Sequence, residues 1–277
     1  MSQQISGTGK RLMEPGGILR NRGLSTLEPV LVTGAVGFYR FPRVELDGTQ
    51  SRLSKRMSAF ATWSMAFLLV LVAILSCYYL VDGPVALWVH AHRAFDPAED
   101  LELVTKIPNP VVLVGLVAYF ALGLSTAAGR QLARFGQVVL ACSFSILITE
   151  EIKDLMKWIF GRPSPEIWGH HTISFVADSE YRFHWFQGGD VFDSFPSGHM
   201  AATMAVLSVL WACYPALRPI YLAAAGCAAI VLIVSNSHFV GDVIAGGFLG
   251  TTIGWITLAV VQSGALQRLA GKVGTRS

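Results

Sequence analysis

Three short segments carry side chains that together could handle a phosphoryl group. They are Lys157-Trp-Ile-Phe-Gly-Arg162-Pro-Ser-Pro-Glu166, Ser194-Phe-Pro-Ser197-Gly198-His199, and Asn236-Ser-His238-Phe-Val-Gly-Asp242. Ser197 is placed to cap a helix whose first backbone N–H groups, on Gly198 and His199, face an anion at the positive end of the helix dipole. His199 titrates near neutral pH and can protonate a leaving oxygen. His238 and Asp242 are four residues apart. On a helix their side chains meet, so the carboxylate can hold one ring nitrogen protonated while the other acts as a nucleophile. Each group alone has a blander reading. A histidine or a basic residue at a span end commonly sits at the headgroup level, and an acid in the first turn stabilises the helix dipole by ~0.3–1 kcal/mol.

The elements that must position these groups are membrane spans. Of 277 residues, 53% are hydrophobic and 14% charged, against roughly a quarter charged in ordinary soluble domains. Mean hydropathy is +0.51. That much apolar surface cannot all face one interior, so part of it faces lipid. Six stretches are apolar over about 20 residues, the length that crosses the hydrocarbon core: 60–81, 110–128, 136–160, 199–216, 219–234 and 239–262. The third carries Glu150, Glu151, Lys153, Asp154 and Lys157 in its second half, a cost in lipid unless they face a polar interior or neutralise one another at helical spacing. Loop Lys and Arg set orientation. Fifteen fall on the face that holds both termini and four on the opposite face. Both termini are therefore expected in the cytoplasm, and the loop 161–198 and the turn at 236–241 on the outer, periplasmic face of a multi-pass inner-membrane protein.

The expected division is a cytoplasmic tail over 1–58, the membrane domain over 59–262 and a cytoplasmic C-terminal tail over 263–277. The first segment is too long and polar ahead of the apolar run for a cleaved signal peptide. Within it, Val30-Leu-Val-Thr-Gly-Ala-Val-Gly-Phe imitates a dinucleotide-binding loop, but the last expected glycine is Arg40 and Pro42 interrupts the helix that should follow, so the imitation fails on context. Cys77, Cys142, Cys213 and Cys227 lie in apolar runs without redox or zinc spacing and read as small buried hydrophobes. His170 and His171 are sequence neighbours, a poor metal pair. Basic residues form no stripe interleaved with aromatics, so nucleic acid is not an expected partner.

Orientation, worked out without motifs, places all three segments on one face. Together they resemble the type 2 phosphatidic acid phosphatase superfamily, the membrane relatives of vanadium haloperoxidases. Its pattern runs Lys-x6-Arg-Pro, then Pro-Ser-Gly-His, then Ser-Arg-x5-His-x3-Asp. The resemblance covers about 59–262 and implies an all-α, six-transmembrane-helix bundle that dephosphorylates a membrane lipid phosphate or pyrophosphate without cofactor or metal. By it, His238 would form a phosphohistidine and Asp242 would orient it. His199 would protonate the leaving group and then activate water, and Lys157, Arg162, Ser197 and Gly198 would bind the phosphoryl oxygens. Two positions depart from the pattern. Its first arginine falls on Ser164, and the arginine six before His238 falls on Leu232. Losing one preorganised donor costs ~10²–10³ in rate, so another cation must compensate, with Lys153, Arg182 and His184 as candidates. The stretch Phe160-Gly-Arg162-Pro-Ser-Pro-Glu166-Ile-Trp168 resembles one in a proteobacterial branch of the superfamily, which favours a divergent enzyme. The alternatives are a lipid-to-lipid phosphotransferase and a catalytically silent lipid-binding protein. The expected test of all of this is whether His199 and His238 converge on one cavity.

Overall fold

A computed structural model of the chain describes residues 48–92, 108–167, 173–189 and 191–263. The glycine pattern at 30–38, the histidine pair 170–171 and the C-terminal tail lie outside them. The chain divides into two units, Met1–Ala61 and Thr62–Ser277; of the first, residues 48–61 are helical, and the described residues from 62 onward belong to the second. The described residues are helical apart from loops, turns and two isolated bridges. In chain order they form α1 (Gly48–Ser76), a π-helical turn (Cys77–Val81), α2 (Asp82–His92), α3 (Pro108–Ala127), α4 (Arg134–Phe160), the single turn α5 (Phe175–Asp178), α6 (Gly198–Cys213), α7 (Arg218–Val234) and α8 (Val240–Gln262).

Every expected span is a helix, but among the described residues only four runs are both long and apolar enough to cross a membrane by length and composition: Phe60–His92, Arg134–Phe160, Pro215–Val234 and Val240–Gln262. Leu113–Thr126 and Gly198–Cys213 are shorter apolar helices. At 1.5 Å per residue α6 reaches about 24 Å, short of a hydrocarbon core of about 30 Å. The first span also departs from expectation. Sequence reading ends it at 81 and assigns Asp82 to a loop, whereas the helix continues through the π-helical turn to His92 and buries Asp82 at 1% exposure. A carboxylate at that depth needs a partner, and Arg162 supplies one.

The tightest packing joins α6 to α8. Gly246, Gly250 and Gly254 repeat every fourth residue and so line one stripe of α8. A Cβ at Gly246 would lie 2.3 Å from the Ser197 carbonyl oxygen, one at Gly250 2.0 Å from that of Ala201, and one at Gly254 2.1 Å from Ser208 Oγ. Small residues let the backbones approach this closely, which is how helices associate where lipid removes the hydrophobic drive. Beyond this stripe, Val138 and Ala141 of α4 pack with Val209, Cys213 and Leu258 in one buried cluster.

At the C-terminal end of α4 the chain turns at Gly161, whose φ of 49° is left-handed. A side chain there would also strike the His184 carbonyl oxygen at 2.2 Å, so glycine is required twice over. The turn feeds Arg162 inward. Its Nη1 donates to Asp242 Oδ1 at 2.6 Å and its Nη2 to Asp82 Oδ2 at 3.0 Å; all three side chains are at most 1% exposed. Phe239, Tyr181, Phe183 and Tyr78 surround the guanidinium with ring centroids 4.0 to 5.3 Å from Cζ, adding cation–π attraction to the ion pairs. Burial opposes the guanidinium's charge, but Asp242 and Asp82 outweigh it and raise the Arg162 pKa above its ordinary value.

Two stability tests follow from this packing. Gly250→Val forces α6 and α8 apart and should cost roughly 3 kcal/mol or more of stability, whereas Gly226→Ala in α7, where a Cβ meets nothing within 4 Å, should leave the melting temperature of the purified protein unchanged or raise it. Arg162→Met strands two buried carboxylates and should destabilise the fold by about 3–5 kcal/mol, read by the same thermal melts.

Candidate functional site

The site forms where the N-terminal ends of α6 and α8 meet the loops that follow α4. Ser197 caps α6 as its spacing predicts, its hydroxyl accepting from the Met200 N–H at 3.5 Å, and its own N–H donates to the Asp242 carbonyl at 3.0 Å. That bond ties the second motif directly to the third. Between α7 and α8 the chain makes a tight turn at 235–239. Asn236 takes a left-handed φ of 58°, and its side-chain amide donates to the Ala86 carbonyl and to Glu166 Oε2. The His238 N–H reaches back to the Leu232 carbonyl. This turn presents His238 ahead of the first helical residue of α8, toward α6.

The two imidazoles converge: the ring centroids of His199 and His238 are 6.4 Å apart, with planes inclined by 59°. His238 Nδ1 lies 3.0 Å from the Ser194 carbonyl oxygen and 3.3 Å from Ser194 Oγ. Its pKa is pushed down to about 3, chiefly by burial, with His199 and Lys157 opposing a second positive charge nearby. The ring is therefore neutral at physiological pH, the form in which an imidazole nitrogen has a lone pair to offer.

Asp242 departs from the arrangement read from spacing. Because α8 begins only at Val240, His238 precedes the helix and the four-residue spacing does not stack the two side chains. The carboxylate serves instead as the N-terminal cap, accepting from the Phe239 N–H at 3.2 Å. It also accepts from Ser194 Oγ at 2.7 Å and from Arg162. Arg162, expected to grip phosphate, points its terminal nitrogens at Asp242 and Asp82; its contacts make it a buried structural cation. Gly241 N–H completes the set by donating to Asp82 Oδ1 at 2.9 Å.

Lysines populate the side facing α4. Lys157 Nζ pairs with Asp193 Oδ2 at 3.2 Å. Lys153, one turn earlier, has Nζ 2.6 Å from Glu150 Oε2 and 3.3 Å from Asp154 Oδ1, so Asp154 neutralises Lys153 in addition to Glu150, while Lys157 takes its counterion from the loop. The Lys153 stem crosses Gly198 so closely that a Cβ there would meet Lys153 Cδ at 2.8 Å. Of the three compensating candidates, Lys153 is the one against the α6 N-terminus. Arg182 is exposed and held by Glu180, and His184 Nε2 lies 3.2 Å from the same Glu180 while its ring stacks on Phe192. Ser164, where the family pattern has arginine, is buried and donates to the Glu166 carbonyl. Among the described residues no group of three or more His, Cys, Asp or Glu is arranged to hold a metal ion.

Sequence reasoning missed Ser194, Asp82 and Asp193. Ser194 had a signal, being a polar residue inside the second motif segment. Asp82 had none, because its role depends on a helix that runs past its expected end.

The sequence model of the PAP2 superfamily matches residues 138–264, which include all three motif segments. The lipid A 1-phosphatase of Rhizobium johnstonii is 25% identical over 218 residues, spanning 75% of this chain and 85% of that protein. The lipid A 1-phosphatase of Rhizobium etli is 26% identical over 220 residues, 75% of this chain and 89% of its own length. Among solved structures, a transmembrane PAP2-type phosphatidylglycerolphosphate phosphatase from Bacillus subtilis is similar at 15% identity and a TM-score of 0.36, over 71% of this chain and 96% of that one. The chain therefore resembles the PAP2 superfamily in an intact Pro-Ser-Gly-His segment and a His-x3-Asp segment bonded to it, both inside the matched residues 138–264.

Proposed function

We propose that this protein is an integral membrane phosphatase that hydrolyses a lipid phosphate or pyrophosphate at the outer leaflet through a phosphohistidine on His238. The observation that carries the reading is the approach of the His199 and His238 rings beside the N-terminus of α6. In the proposed cycle, His238 Nε2 attacks phosphorus as the bond from phosphorus to the lipid oxygen breaks, and His199 gives that oxygen its proton. His199 then takes a proton from water, whose oxygen attacks the phosphohistidine, releasing inorganic phosphate and restoring the free imidazole. The α6 N–H groups of Gly198 and His199 and the ammonium of Lys157 stabilise the phosphoryl oxygens, with the Ser197 hydroxyl holding the helix end in place. Lys153 supplies a second cation from the next turn of α4, in place of an arginine at position 164.

A lipid substrate is supported by an apolar cavity of about 740 Å³ between α1, the end of α4 and α8. It is lined by side chains including Phe67, Leu71, Phe160, Phe195 and Phe248. Phe195 is the direct neighbour of Ser194, so the cavity adjoins the site and offers room for an acyl chain. The two rhizobial relatives are named for lipid A, which makes a lipid A-type phosphate the first substrate to test. Six membrane crossings, both termini in the cytoplasm and a periplasmic site complete the proposal. The basic residues that favour this orientation are concentrated in the tails.

Purified protein should release phosphate from such a lipid without added divalent metal, vanadate should inhibit it, and His238→Ala should reduce turnover to the uncatalysed background; turnover surviving that substitution refutes the mechanism. Because burial holds the His238 pKa down at about 3, single-turnover experiments with labelled lipid, quenched in alkaline detergent that preserves the P–N bond, should trap the phosphoenzyme as readily from reactions run at pH 5 as at pH 7. Labelled product appearing on an added lipid alcohol would favour the phosphotransferase alternative. Reporters fused to the C-terminus should register as cytoplasmic.

A further inference from the structure

We propose that Ser194 is a positioning residue that transmits the orienting effect of Asp242 to His238. The inference rests on the phosphatase reading above and adds a member to its machinery. It begins from a gap: Asp242 makes its contacts with Arg162, Phe239 and Ser194, while both contacts of His238 Nδ1 are with Ser194. Ser194 is 1% exposed and, among the described residues, is the one bonded to both.

Donor and acceptor accounting fixes what it does. A serine hydroxyl carries one hydrogen, and an ionised carboxylate only accepts. At 2.7 Å from Asp242 Oδ2, the Ser194 hydroxyl donates to the carboxylate and turns a lone pair toward His238 Nδ1. The Ser194 carbonyl, 3.0 Å from the same nitrogen, is also an acceptor. Both contacts are satisfied only if Nδ1 carries the hydrogen, which leaves the lone pair on Nε2, the nitrogen that must attack phosphorus. As the bond from Nε2 to phosphorus forms, the ring gains positive charge and its Nδ1–H becomes a stronger donor. A hydroxyl polarised by Asp242 stabilises that charge without a carboxylate touching the ring. The position of Ser194 is itself secured from the backbone, since its N–H donates to the Arg162 carbonyl at 3.0 Å. The hydroxyl and the cation that anchors Asp242 therefore move as one unit.

The test uses the full-length protein with the labelled lipid phosphate. Ser194→Ala should lower kcat roughly ten- to a hundredfold with KM changed by less than about twofold, while thermal melts show a folded protein. Ser194→Thr, which keeps the hydroxyl, should recover most of the rate. In the Ser194→Ala background, Asp242→Asn should cost much less than it costs in the native enzyme, because the path between the carboxylate and the ring is already cut. The proposal is overturned if Ser194→Ala keeps the native kcat, if its loss only tracks the folded fraction, if threonine rescues nothing, or if the two substitutions multiply independently. If Asp242→Asn does not fold, the comparison of alanine with threonine at 194 decides alone. Failure of the phosphatase reading looks different: the native protein and His238→Ala then release phosphate equally or not at all, which overturns both.

Discussion

A single buried guanidinium holds together the end of the helix bundle where the three motif segments meet. Arg162 reaches inward from the loop after α4 and binds a carboxylate on the first long helix and another on the helix that follows the catalytic turn. Ions this deep lose hydration worth several kcal/mol each, and the cluster persists only because its geometry returns that cost in short bonds and aromatic contacts. The consequence is that α2, α8 and the α4 loop cannot shift independently. Asp242 is fixed by Arg162, Ser194 by Asp242, and the His238 ring by Ser194. Arg162, expected to hold substrate, thus sits behind Asp242 and Ser194 instead of beside His199 and His238.

The second constraint is the close approach of α6 and α8. Cation and histidine placement would be of little use if the two motif segments could drift, and within a bilayer there is no hydrophobic drive to press helices together. The glycine stripe on α8 resolves this with backbone contact, and the bond from Ser197 N–H to the Asp242 carbonyl continues the seam into the site. Packing that suits lipid and packing that suits catalysis are here the same packing. Gly198 belongs to the same pattern, since its missing side chain is what leaves passage for Lys153 across the start of α6.

Much of this was legible in the residues. Apolar run lengths located all but the first of the expected helices within a few residues, because the thickness of a membrane dictates them. The cap at Ser197 was readable because a serine before an apolar helix has one favourable use. The pairing of Lys153 with Glu150 followed from helical spacing. What spacing misjudged was His238 and Asp242: the rule for residues four apart holds only inside a helix, and α8 starts between them, with Asp242 drawn into capping.

The sequence alone determined the chemistry available and the approximate places of most helices, since apolar lengths and motif order are local properties of the chain. Tertiary structure decided which group serves which partner. The pairing of Arg162 with Asp82 and Asp242 joins residues 80 positions apart in either direction, and the contact of Ser194 with His238 spans 44. Such contacts arise only when several helices pack at once, and whether a buried arginine faces phosphate or carboxylate depends on which counter-charge the fold brings within reach first.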